Sequence, residues 1–430
     1  MVDEHFDVAV VGSGPAGAVA ALVLARGGAR VALVDKATFP RDKACGDAVG
    51  PRGMAVLHDL GLTPEPKGAP LGDMVVVGPS GRRLRLPCFE GIDYPGYGVA
   101  VPRQGFDAWL ATEALEAGAR PVTGRVEHVG ADDGAADAHA VELGGGKRLR
   151  ADVVVGADGA TSRVGEAAGL VDARRVLWGF AVRVYLDEPV ELPHIVLWER
   201  EPRRVFPGYG WLFPGPDGRA NAGLGIGTLS DRRAGAGAVR LLPAFLEHLR
   251  HMGLVHDPGD GSGPGRLGGW LKMGMVGTTP AAGRVLLVGD AAGLVNPLQG
   301  EGIAHAMTSG RLAAEAVLAG PGHAAARYRA AIAHDHLDYH RVASAAHAAL
   351  VGRPAAAAAV GRLLTHPLVG RPLAGGWSIF WNELLDGTPP GAPRTVAAAA
   401  SVIGRAVTRR SATGRWFDNV WPPSQRRGQS

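Results

Sequence analysis

Lysine is scarce in this chain of 430 residues: Lys36, Lys43, Lys67, Lys147 and Lys272 are the full set, and arginine supplies the remaining positive charge. Forty-five basic residues against 41 acidic ones leave a formal net charge of +4. With so small an excess and no basic block interleaved with aromatics, no nucleic-acid partner is expected. Cysteine is nearly absent. Cys45 and Cys88 are too few for a disulfide framework and lack C-x-x-C spacing, which predicts a reducing compartment and no zinc site built on thiolates. No apolar run reaches the roughly 18 residues of a membrane span, and an apolar strand starting at Phe6 leaves no room for a signal peptide's basic and apolar regions. The expectation is a cytoplasmic protein.

Glycine (65) and proline (31) are plentiful, yet together they stay below the roughly 25–30% that marks low complexity, and 46% hydrophobic residues is an ordinary globular value. At about 150 residues per domain, the length suggests three domain-sized units or two interleaved ones. Phe6–Val11 is a short β-branched run that turns at Gly12 and opens into an Ala/Leu/Val helix ending near Gly27-Gly28. Arg30–Asp35 then reads as a second buried strand, completing a β-α-β unit. Met74–Leu86 reads as a hairpin about Ser80-Gly81. Residues 176–230 change texture to alternating apolar and polar positions with aromatics and Pro/Gly turns, an antiparallel sheet. Val285–Val288 returns to the buried parallel type, and a long helix follows from about Gly302. Leu312–Val407 is Ala-rich and helical, broken at Pro367, Pro372 and Pro389-Pro390, before a loose polar tail.

Gly12-Ser13-Gly14-Pro15-Ala16-Gly17 sits between strand and helix, with Asp35 closing the next strand. The glycines permit a tight turn and close approach of a pyrophosphate, the helix N-terminus supplies N–H donors, and Asp35 suits a ribose hydroxyl. The acidic residue argues against NADP; the motif alone leaves NAD and FAD open. Two later strands end on carboxylates: one runs into Asp158-Gly159, the other into Gly289-Asp290, followed by Pro297 and Gly300-Glu301-Gly302 before a helix.

In this order the three motifs resemble the FAD-binding fold of the para-hydroxybenzoate hydroxylase superfamily. Within it, Phe39-Pro40-Arg41-Asp42-Lys43-Ala44-Cys45-Gly46-Asp47, Tyr209-Gly210-Trp211-Leu212-Phe213-Pro214 and the run from Gly289 to Gly302 are similar to signatures of the geranylgeranyl reductase family, whose members saturate isoprenoid double bonds with reduced FAD. The chain departs from many relatives at Asp47, where they carry glycine. The resemblance implies an α/β fold: a Rossmann-like, glutathione-reductase-type FAD domain with an inserted antiparallel substrate sheet and a helical C-terminal region. The expected division is residues 1–75, 101–170 and 275–340 for FAD, 76–100 and 171–274 for the sheet, and 341–430 for the C-terminal region. FAD contacts are expected at Gly12, Gly14, Pro15, Ala16, Gly17, Asp35, Lys36, Arg41, Cys45, Gly46, Arg103, Asp158, Gly159, Gly289, Asp290, Pro297, Gly300, Gly302 and Ile303.

Cys45, Tyr209 and Trp211 are the expected catalytic residues. Tyr209, Trp211 and Phe213 alternate at period two and so share one strand face, suited either to sheet core or to a wall for an apolar substrate. The expected reaction is reduction of carbon–carbon double bonds in an isoprenoid or related hydrophobic small molecule, with the electron donor open between NAD(P)H and ferredoxin, the latter an electron-donor protein. A monooxygenase acting on an aromatic or polyketide substrate is the alternative, and Gly293, where hydroxylases often carry His, argues against it. A halogenase lacks support because Trp-x-Trp-x-Ile-Pro is absent. His336 and His340 have i,i+4 spacing, but no H-E-x-x-H order surrounds them and Asp335 and Asp338 read as a solvated face, so no metal is expected. Arg405, Arg409 and Arg410 with Trp416 and Trp421 read as a solvated tail, with peripheral membrane contact as the other option.

Overall fold

The computed structural model describes residues 4–377, apart from 64–67, 87–94, 133–134, 201–203, 206–207, 230–231, 236, 263–264 and 352, together with isolated positions beyond 377. Cys88 and the basic, aromatic tail lie outside the described residues.

Strand β1 (Glu4–Val11) is central in an eight-stranded sheet. It pairs in parallel with β2 (Val31–Asp35) on one side and with Lys147–Gly156 on the other, Val8 facing both Val31 and Val153. Val285–Leu287 extends the parallel set beyond Lys147–Gly156, and Arg120–Thr123 extends it beyond β2. Such strands are covered on both faces, which is why they read as near-continuous runs of valine, leucine and alanine. Helix α1 (Pro15–Arg26) is buried at nine of its twelve positions. A helix apolar nearly all round must be sandwiched. Its second neighbour is the helix Ile303–Leu318, where a Cβ on Gly310 would fall 2.2 Å from the Ala16 carbonyl oxygen, so only glycine permits the approach. Helix α2 (Pro51–Asp59) starts with proline in its first turn, where no N–H is needed, and α3 (Arg103–Glu116) packs on α1.

The second sheet has seven strands in the order Leu267–Met273, Leu177–Leu186, Ala220–Gly227, Gly208–Pro214, His194–Val196, Met74–Val77 and Arg83–Leu86. One pair, His194–Val196 with Met74–Val77, is parallel and the rest are antiparallel. One face packs on the helix Ala238–His251 through Leu242, Phe245 and Leu246. The other carries Met74, Ile195, Trp211 and Phe213. The glycines of Ala220–Gly227 have a packing cause: Gly223 is the register partner of Trp211, and a Cβ there would fall 2.3 Å from the indole. The glycine lets the ring lie against the sheet.

The expected helical C-terminal region continues through Ala324–Ile332, a π-helical turn at Ala333–Leu337, Asp338–Val351, Pro354–Leu364 and Gly370–Trp377. Pro372 does not break this region as expected. It lies in the first turn of Gly370–Trp377, where its missing N–H leaves no helical bond unmade. Among the described residues no helix is long and apolar enough to cross a membrane.

Candidate active site

The glycine loop after β1 separates two jobs that its motif merges. Gly12 has φ +105°, and a Cβ there would strike the Ala157 carbonyl oxygen at 2.3 Å; a Cβ on Gly17 would lie 1.8 Å from the Gly12 oxygen. Both glycines are demanded by the fold. Gly14 is not: only the Arg41 Nη2, at 3.6 Å, stands before its Cβ position. Gly14 is also the N-cap of α1, without a side-chain cap and with no acidic residue in the first turn, so the N–H groups of Ala16 and Gly17 and the dipole at this terminus are available to an anion. Asp35 steadies this loop, accepting from Ser13 N at 2.7 Å and from Ala37 N at 2.8 Å, and Lys36 beside it is exposed. The fit to a pyrophosphate is therefore a property of the backbone.

Asp158 caps the short helix after it by accepting from Arg163 N and Val164 N with Oδ2, while its buried Oδ1 has no partner among the described residues. An orphaned acceptor here, next to Gly159 at φ +83°, fits a ligand hydroxyl. Asp290 follows Gly289 in a 3₁₀ turn, with Oδ2 3.6 Å from Lys43 Nζ. Behind it, Lys272 is buried and donates to the Ala291 carbonyl at 2.7 Å. Burial pushes its ammonium down to about 8, against the pull of Asp158, Asp290 and Glu166.

A cavity of ≈ 330 Å³ opens from this polar end. Pro15, Arg103, Asp290, Pro297, Gly300, Gly302 and Ile303 border it with Cys45, Gly46, Tyr209 and Trp211, so these sequence-predicted residues share one chamber. Gly12, Ala16, Gly17, Asp35, Lys36, Arg41, Asp158, Gly159 and Gly289 are not on its wall. Beyond the aromatic strand the wall passes to Leu350, Val351, Ala357, Val360 and Leu364 of the C-terminal helices. Tyr209 donates to the Gln299 carbonyl, joining the aromatic strand to the Gly300–Gly302 loop. Desolvation raises the Tyr209 hydroxyl above its ordinary range, with Cys45 and Glu301 adding to it. Desolvation likewise raises the Cys45 thiol, and the pull of Arg103 does not reverse it. Cys45 is a neutral thiol at neutral pH.

Arg41 and Arg103 converge on one carboxylate. Asp107 takes a bidentate pair from Arg103 at 2.6 and 2.7 Å and a third bond from Arg41 at 2.7 Å. Burial would raise Asp107, but Arg103 and then Arg41 and Lys43 outweigh it and hold it below the usual carboxylate range.

Sequence reasoning missed the hub that holds the wall together. Asp47 occupies the left-handed region at φ +62°, a backbone conformation that favours glycine. Its carboxylate accepts from Tyr185 OH at 2.6 Å and from Asn221 Nδ2 at 2.8 Å. Asn221 also donates to the Cys45 carbonyl and accepts from Trp211 Nε1, both at 2.9 Å. The departure from Cys-Gly-Gly at residue 47 was the available signal. The reading of the His336/His340 stretch as a solvated face also needs correction: His334 does face out, but both other histidines are fully buried and meet His305.

A family model for an FAD-binding domain matches residues 5–203. A menaquinone reductase of Mycobacterium tuberculosis is 39% identical over 331 residues, covering 73% of this chain and 77% of that protein. Digeranylgeranylglycerophospholipid reductase 2 of Methanopyrus kandleri is 33% identical, covering 72% and 76%. Among solved structures, a geranylgeranyl bacteriochlorophyll reductase-like protein of Thermoplasma acidophilum superposes with TM-score 0.69 at 21% identity, over 97% of this chain and 99% of that one. A variant of a flavin-dependent brominase does so with TM-score 0.65 at 17% identity, over 94% and 99%. At these identities the likeness to the two structures shows the fold alone.

Proposed function

This chain belongs to the geranylgeranyl reductase family of FAD-dependent oxidoreductases, and on that premise we propose that it saturates carbon–carbon double bonds in the prenyl chain of a hydrophobic small molecule. The observation that carries this reading is the single cavity running from the uncapped α1 terminus, past Cys45, to an apolar end made by Trp211, Phe213 and the C-terminal helices. A flexible apolar chain is held in such a chamber by burial alone.

When bound, reduced FAD supplies hydride to one alkene carbon. Gly14, the α1 N-terminus, Asp35, Asp158 and Asp290 would hold the cofactor. Trp211, Phe213, Ile195 and Met74 orient the chain and exclude water. Tyr209 and Cys45 both keep their protons at neutral pH. The Tyr209 proton is committed to the Gln299 carbonyl, which leaves the Cys45 Sγ–H as the proton held for the second carbon. Gly293 stands where hydroxylases often carry histidine, and at φ +75° with its Cβ position 3.3 Å from the Met275 backbone a side chain there would be strained, which favours reduction over monooxygenation.

The test is anaerobic incubation of dithionite-reduced enzyme with a prenylated quinone, a geranylgeranyl lipid and geranylgeranyl diphosphate, followed by mass spectrometry. A gain of two hydrogens per reacted double bond supports the proposal. Gain of one oxygen atom under air, with no hydrogenation under nitrogen, overturns it in favour of the monooxygenase.

A further inference from the structure

Three histidines from two stretches of chain meet behind the Gly300–Gly302 loop. His305 lies in the first turn of the helix Ile303–Leu318, His336 in the π-helical turn Ala333–Leu337, and His340 in the first turn of the helix that follows. Their exposures are 1%, 0% and 0%. Ring centroids are 5.3, 5.4 and 5.8 Å apart, and one ring nitrogen from each lies within 4.8 Å of the other two. We propose that His305, His336 and His340 form a binding site for a divalent transition-metal cation of the Zn²⁺ type.

A metal ion is bound by neutral imidazole, and three such rings stand here within reach of one ion. Neutral rings each carry one N–H and one lone pair. His305 has its tautomer set from outside the cluster: its Nδ1 donates to the Glu301 carboxylate, whose other oxygen accepts from Ala304 N at 2.7 Å. Nε2 of His305 is then the lone-pair nitrogen. A carboxylate bonded to the far nitrogen of a histidine is the arrangement that orients imidazole ligands in metal sites. In His340, Nδ1 is 3.1 Å from the His336 carbonyl and Nε2 is 3.3 Å from that of Leu294. A neutral ring can donate to only one of these, and its second nitrogen keeps a lone pair.

The donor set selects the ion. Three imidazoles without a direct carboxylate suit Zn²⁺, Co²⁺ or Ni²⁺ and disfavour Mg²⁺ and Ca²⁺. Zn–N bonds of about 2.0–2.1 Å put tetrahedral nitrogens about 3.4 Å apart, so closing the site requires the nitrogens to draw together by little more than about 1 Å. The π turn that carries His336 is a distortion that recurs at functional sites. An ion here would tie the C-terminal helices through His305 and Glu301 to the loop bordering the cavity.

The experiment uses the full-length, FAD-loaded protein, stripped with a chelator and dialysed against Zn²⁺, with Co²⁺ as a spectroscopic probe. One equivalent of Zn²⁺ surviving gel filtration, and Co²⁺ absorption of a four-coordinate, nitrogen-rich site, are expected. His336→Gln and His340→Gln should lose the equivalent, whereas His334→Gln, on the exposed side of the same turn, should keep it. Glu301→Gln should weaken Zn²⁺ about 10–100-fold. Absence of a tight equivalent in the wild type overturns the proposal, as does retention of full occupancy in both His336→Gln and His340→Gln. Should these two variants fail to fold, the wild-type Zn²⁺ count and Co²⁺ spectrum decide by themselves.

Discussion

Next to the cavity, the proposed pyrophosphate site is built from backbone within one β-α-β unit: the Gly12–Gly17 turn and the uncapped start of α1, steadied by the Asp35 carboxylate at the end of β2. At the apolar end, recognition is built from side chains that arrive separately, Cys45 from one loop, Trp211 from the second sheet, Val360 from a helix near the end of the described chain. The first kind of site fixes which cofactor fragment binds and tolerates little change in residue type. The second kind sets the shape of what lies against the cofactor and can drift one residue at a time.

The sharpest way to break that contrast is Gly14→Leu. Only the flexible end of Arg41 stands before its Cβ position, so the fold should survive while pyrophosphate approach is blocked, giving a folded, colourless protein by absorbance and circular dichroism. Full flavin occupancy would overturn the role given to this loop. Gly17→Leu, by comparison, meets backbone at 1.8 Å and should damage folding itself.

Asp107→Ala comes next, leaving two arginines around a vacated carboxylate. Loss of one partner of a buried ion pair costs about 3–5 kcal/mol, to be read from urea denaturation. The sign with pH follows from the depressed carboxyl. Its contribution is complete above the ordinary value of 3.8 and is lost as pH falls through the lower folded value, so the variant should lack that part of the wild-type acid transition.

Trp211→Ala probes the other end. Single-turnover reduction of substrate should weaken by about 2–4 kcal/mol while FAD stoichiometry holds, and Trp211→Phe should recover part of the rate. If Trp211→Ala strips the flavin or unfolds the protein, the aromatics are sheet core and the two ends are not separable.

The effect expected at Lys272 is confined to alkaline pH. Its folded value of about 8 lies below the 10.5 of the unfolded chain, so between these pH values the unfolded state binds a proton the folded state has released, and stability rises with pH. Thermal denaturation across that window should show the rise in wild type and not in Lys272→Met.

The same contrast explains what could be read beforehand. Gly12, Gly14 and Asp35 were legible because a tight turn and a strand end impose local rules, and the shared face of Tyr209, Trp211 and Phe213 because strand alternation does. The Asp47 hub was not, since its bonds to Tyr185 and Asn221 span 138 and 174 residues and no local pattern records them. His336 and His340 were misjudged because a helical wheel assumes α geometry, and the π turn shifts the face on which they fall. Pro372 was read as a breaker because proline's position within the first turn depends on where the helix starts, which the Ala-rich sequence leaves open.

The close seat of Ala16 against Gly310 has a consequence for how this protein is born. Helix α1 leaves the ribosome early, but the surface that covers it is synthesised only when Ile303–Leu318 emerges, on the order of 15–60 seconds later at about 5–20 residues per second. β1 waits for Lys147–Gly156 on one side, and that strand in turn waits for Val285–Leu287. The nascent chain therefore carries an uncovered apolar helix and unpaired strand edges through most of its translation, a state that invites chaperone capture or aggregation. Stalled or truncated products ending before that helix should be insoluble and unable to retain flavin, however complete their glycine loop.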